Sequence, residues 1–144
     1  MRSVSEPARA ARPAADRLTP ELRAYLAGIR WATIATVDPD GAPHEAVIWY
    51  GLQDDGLIIN SRRTRHWPRN LLRDPRITMA VQDWSDPEHW VGLKGEARLL
   101  HEGPQAIADI QALARRYDRD PSRYEGQDRL TFLVEVEQTF EYRG

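Results

Sequence analysis

Short β-branched and apolar runs bounded by turn residues, with clean alternation at Thr131–Tyr142, set most of the pattern, and a helical period appears at only a few places. Thr19-Pro20-Glu21-Leu22 predicts a helix start. Thr19 can cap, Pro20 suits the first helical position, Leu22, Tyr25 and Leu26 share a face, and Gly28 ends the helix. Trp31–Val37 reads as a strand, Asp38-Pro39-Asp40-Gly41 as a turn, and His44–Tyr50 as the returning strand of an antiparallel hairpin. Gln53–Gly56 reads as the next turn and Leu57–Asn60 as a third strand. An Arg-rich helix then stops at Asp74, because the residue before Pro75 avoids the helical region.

Arg76–Gln82 predicts a fourth strand and Trp90–Leu100 a fifth, with Gly92 and Gly95 as bulge or close-approach positions. Gly103–Tyr117 is helical in pattern, with Ile107, Ile110, Leu113, Ala114 and Tyr117 on one face. Thr131–Tyr142 alternates with Phe132, Val134, Val136, Phe140 and Tyr142 on one side, which predicts a long strand with one buried face. Residues 1–17 read as a disordered leader. Six strands, short hairpins and a few helices predict a mainly β fold, a six-stranded antiparallel split barrel whose closure removes the free edges.

A chain of 144 residues is long enough for one domain with a genuine core. There is no cysteine, which excludes disulfides and thiolate chemistry. No apolar run is long enough for a bilayer and the N-terminus lacks a signal-peptide core, so a cytoplasmic protein with no membrane partner is expected. The net charge of −2 gives no global attraction to nucleic acid. Against that balance the run Asn60–Arg76 stands out. It holds six arginines and one carboxylate, Asp74. A strand end, a hydroxyl-rich turn and a helix start together form a place where guanidiniums and N–H groups can meet a phosphate.

Trp31–Val37, Asp40-Gly41-Ala42-Pro43-His44, Val47–Tyr50, Asn60-Ser61-Arg62-Arg63 and above all Arg69-Asn70-Leu71-Leu72-Arg73-Asp74-Pro75-Arg76 resemble the pyridoxamine 5′-phosphate oxidase-like split β-barrel proteins. Within these they are most similar to the group that uses the deazaflavin coenzyme F420. The resemblance covers about residues 20–142, so 18–144 is expected to be the flavin- or deazaflavin-binding domain. It implies a homodimer with the cofactor between subunits, and an oxidoreductase moving a hydride between F420 and a small unsaturated or quinone-like molecule. The alternatives are FMN in the same role, or a non-catalytic protein that binds a flavin or tetrapyrrole. It implies that Asn60, Ser61, Arg62, Arg63, Thr64 and Arg65 hold the cofactor phosphate, with Arg69 and Asn70 close behind. The backbone of Val47, Ile48 and Trp49 would lie along the ring. Many such proteins carry a lysine where Trp67 stands here. Either Arg65 or Arg69 supplies that charge or the cofactor tail takes another course, with Trp67 a helix anchor or part of the cofactor wall.

The residues alone show no nucleophilic triad, no Walker loop and no Rossmann fingerprint. The four histidines show no paired metal spacing, so no metal is expected. No catalytic side chain is assigned; solvent, His44 or Tyr50 could supply a proton. A single-strand nucleic-acid binder using Arg62–Arg76 with Trp67 and Trp84 is the rival from another class, disfavoured by net charge.

Overall fold

The computed structural model describes residues 18–144; the expected leader at 1–17 lies outside the described residues. Helix α1 spans Pro20–Ala27. Thr19 caps it as expected, its Oγ1 accepting from Leu22 N at 3.2 Å, and Leu22 and Leu26 are its buried residues. Seven strands follow, β1 Ala32–Val37, β2 Pro43–Ile48, β3 Gly51–Gln53, β4 Gly56–Arg62, β5 Arg76–Gln82, β6 His89–Glu102 and β7 Arg129–Arg143. Helix α2, His66–Arg73, links β4 to β5. Helix α3, Gly103–Arg116, and a 3-10 turn at Pro121–Tyr124 link β6 to β7.

All ladders are antiparallel, in the order β2-β1-β5-β6-β7-β4-β3. This corrects two expectations. There are seven strands rather than six, because the three-residue β3, which runs from the unassigned Gly51 and Leu52 into the expected turn at Gln53, pairs with β4. The sheet also does not close into a barrel: β2 and β3 end the order and do not pair with each other. These two edges are nevertheless joined by Trp49 and Tyr50 alone. Three Cα steps reach at most about 11 Å, so the sheet curls back on itself without completing a ladder.

The alternation of β7 is also broken, contrary to one continuous buried face. Leu130 to Val134 are all buried, whereas Phe140 and Tyr142 are 40% and 52% exposed. Lys94 pairs with Gln138 and Gly95 with Val136, so Glu137 is an extra residue. One extra residue exchanges the two faces of a strand. The aromatic residues beyond it therefore leave the core that Phe132, Val134 and Val136 enter.

The core joins Ile34, Leu57, Ile59, Met79, Val81 and Leu93 with Phe132, Trp67 and the apolar face of α1. Tyr50 is 0% exposed. Its hydroxyl donates to Leu26 O at 2.8 Å, and its N–H donates to the Tyr117 hydroxyl at 3.1 Å. Burial, then the neighbouring Tyr117, pushes the Tyr50 phenol up to about 12, so it stays protonated near neutrality. The folded pKa lies above the unfolded value of 10.0. Its contribution to stability is therefore complete below pH 10 and is lost as pH rises towards about 12. Phenolate absorbance should accordingly show Tyr50 ionising only as the protein unfolds.

Arg116, at the end of α3, closes the open end of α1. Its Nη2 donates to Leu26 O and Gly28 O at 3.1 and 3.0 Å, Nη1 to Ala27 O at 3.1 Å, and Nε to Tyr50 O at 3.0 Å. One planar fork thus satisfies carbonyls that the helix end leaves without partners. Arg116→Met is expected to cost about 2–3 kcal/mol in denaturant unfolding, and Arg116→Lys to recover little of it.

Candidate functional site

The two-residue link between the sheet edges leaves a groove of about 490 Å³ on the open side. One wall is β2 with Trp49, and the other is the end of β4, the start of α2 and the start of β7. Eight of the residues expected to hold a cofactor border it: Val47, Ile48, Trp49, Asn60, Ser61, Arg62, Arg65 and Trp67. The other four do not. Arg63 donates to Asp128 at 2.9 Å and to Glu102, so its charge is already paired. Thr64 is exposed in the turn before α2, and Arg69 is exposed on the helix. Asn70 is buried and donates to Thr36 Oγ1 at 3.0 Å and Asp38 Oδ1 at 2.9 Å.

Register brings in a residue that the sequence reading missed. Arg129 stands opposite Arg62 across the β4–β7 ladder and also borders the groove. Its Nε donates to Asn60 Oδ1 at 2.7 Å, and its guanidinium lies 5.1 Å from the centre of the Tyr124 ring. Asn60 is in turn fixed from behind, its Nδ2 donating to Ala106 O and Thr131 Oγ1, both at 2.9 Å, while Thr131 donates to Asp109 at 2.7 Å. Asn60 therefore aims Arg129 rather than facing a ligand unaided. Burial, with the nearby Arg62 and Arg65 charges also acting against it, lowers the Arg129 pKa to about 10. No Asp or Glu borders the groove, and among the described residues neither Arg62 nor Arg65 pairs with a carboxylate. Three guanidiniums with no carboxylate partner among the described residues form a wall suited to a phosphate or carboxylate.

The facing wall is aromatic. Trp49 stacks on Tyr117 at 5.0 Å and 9°, and Trp31 meets Trp49 edge-on at 6.0 Å. Trp49 Nε1 is buried without a hydrogen-bond partner among the described residues. Trp67 is buried against Phe132 and anchors α2 beneath the groove. At one end, His44 and His66 border the groove with rings stacked at 3.7 Å, and His66 Nε2 lies 2.6 Å from Asp38 Oδ1.

The sequence matches pyridoxamine 5′-phosphate oxidase over residues 18–142. The chain belongs to the pyridoxamine 5′-phosphate oxidase family. None of the curated proteins matches. Solved structures that share the fold include an F420 reductase, 23% identical over 82% of this chain and 94% of that one, with a TM-score of 0.73. HutZ, the haem storage protein of Vibrio cholerae, is 19% identical over 88% and 95%, with a TM-score of 0.66. A haem-binding protein from Mycobacterium smegmatis is 23% identical over 98% of this chain and 56% of that one, with a TM-score of 0.69. The fold of this family member is thus shared by proteins named for a reductase and for haem. Among its described residues no helix is long and apolar enough to cross a membrane.

Proposed function

We propose that the groove binds a planar, anionic cofactor, with a phosphate-bearing flavin or the deazaflavin F420 as its occupant, and that the protein is an oxidoreductase acting on a small molecule. The observation that carries this reading is the carboxylate-free wall of Arg62, Arg65 and Arg129 facing Trp31 and Trp49. The arginines hold the acidic group, and the backbone of Val47 and Ile48 offers an edge to the ring. The bound coenzyme supplies the hydride chemistry, so the protein needs no nucleophile of its own.

The groove is completed, in this reading, by a second copy of the chain. Ala35, Ala80, Gly92 and Phe140, together with Glu45 and Lys94, border a depression on the sheet where the second copy would sit. Glu45 borders that depression and Val47, 63% exposed, borders the groove. They are two residues apart on the same side of β2, so a copy seated over one also walls the other.

A second reading is a tetrapyrrole binder without turnover, since the same arginines suit two propionates and two structures of this fold are named for haem. Separate titrations of FMN, F420 and haemin, followed by tryptophan quenching alongside sedimentation, distinguish them. Saturable binding of FMN or F420 to a dimer is expected. Haemin binding alone supports the second reading, and indifference to all three contradicts both.

A further inference from the structure

The turn after β1, the start of β2 and the start of α2 bring together three metal-ligating side chains that are distant in sequence. Asp38, His44 and His66 each present one ligand atom, and these atoms lie within 4.8 Å of one another. We propose that they form a binding site for a divalent transition metal at the end of the groove. This inference does not depend on which cofactor the groove holds.

The carboxylate is held in place from behind. Asn70, buried in α2, donates to Asp38 Oδ1 at 2.9 Å and to Thr36 Oγ1 at 3.0 Å, while Arg73 donates to Asn70 Oδ1 at 3.0 Å. Ligating carboxylates are typically oriented by such outer hydrogen bonds. Two imidazoles and one carboxylate leave coordination positions open and suit Zn2+, Co2+, Ni2+ or Fe2+ rather than Mg2+ or Ca2+. The chain has no cysteine to compete for these ions.

Binding requires a small rearrangement. Asp38 Oδ1 and His66 Nε2, 2.6 Å apart, share a proton and must part to admit a metal. Ligand distances of about 2.0–2.2 Å to oxygen and nitrogen place such a pair roughly 3 Å apart. The His44 ring, 9° from parallel with His66, must tip out of the stack to point a lone pair at the same place. His44 lies on an edge strand and His66 opens α2, so both side chains sit at the ends of their elements rather than in the core.

The test is Co2+ titration of the tag-free full chain, read by visible d–d absorption, with Zn2+ as competitor. One Co2+ per chain is expected, displaced by Zn2+. His44→Ala and His66→Ala should each weaken it at least about tenfold, the scale on which even outer-shell changes act. His101→Ala, outside the cluster, should leave it unchanged. Asp38→Asn serves as a second carboxylate test, with circular dichroism confirming that each variant is folded. Absence of saturable Co2+ binding up to about 1 mM, or binding that survives both histidine variants, overturns the proposal. FMN or F420 affinity is measured separately, so failure here leaves the cofactor reading standing, and failure there leaves this one.

Discussion

Arg129→Gln is expected to weaken FMN or F420 binding by roughly 10–150-fold, the loss of one charge-assisted contact worth about 1.5–3 kcal/mol. Arg129 is buried and held by Asn60, and Arg62 and Arg65 crowd it with like charge. An anion arriving among the three relieves that repulsion, so the wall binds more strongly than isolated surface arginines would. Arg62→Gln and Arg65→Gln are expected to act in the same direction. Arg63→Gln is not, because Arg63 already faces Asp128 and Glu102, and neither is Arg69→Gln, which changes an exposed side chain away from the groove. Tryptophan quenching titrations across the five variants check the pattern. Equal losses across all five would mean that net positive charge, not this wall, draws the ligand.

Gly95→Ala is expected to damage the fold severely, costing about 3 kcal/mol and lowering the midpoint of thermal unfolding by roughly 10 °C. A Cβ at Gly95 would lie 1.9 Å from Glu135 O and 2.9 Å from its carbonyl carbon. Both are backbone atoms of the partner strand, so no rotamer change makes room, and β6 and β7 must part at the bulge. The two longest strands would separate where they bend, and β7 carries Arg129 at its start. Gly41 is the comparison. It takes φ 89° in the first hairpin turn, with nothing within 4 Å of an added Cβ. Gly41→Ala should cost only about 1 kcal/mol, the backbone term alone. Denaturant unfolding of both variants measures the difference.

Much of this architecture is written in short-range pattern. Thr19 and Pro20 mark α1, Asp38–Gly41 marks the first turn, and Gly95 marks a close approach, because each effect acts within a few residues or on the residue itself. The arginine concentration on β4 and α2 likewise marks the end of the fold where the groove lies. What the pattern does not carry is register. Arg129 is 67 positions from Arg62 and becomes its neighbour only when β4 and β7 pair. The extra residue at Glu137 turns Phe140 and Tyr142 away from the core, although their spacing continues that of Phe132 and Val136. Strand β3 is too short to show a period, and its last residue, Gln53, reads as turn. Without it, the separation of the two sheet edges at Trp49 and Tyr50, which opens the groove, is invisible. His44 and His66 form no sequence motif because Asp38 and the β1–β2 turn bring them together only in three dimensions. Arg63 and Asn70 show the converse. Their positions in the motif suggest a ligand, whereas their side chains hold Asp128 and Asp38.

The location of the acidic group in a crystal of the protein grown with FMN or F420 tests the account most directly. The phosphate should lie within hydrogen-bond reach of the Arg62, Arg65 and Arg129 guanidiniums, with the ring running along Val47 and Ile48. A phosphate held instead by Arg69 or Arg76, or a ring seated on the outer sheet face at Phe140, would contradict it.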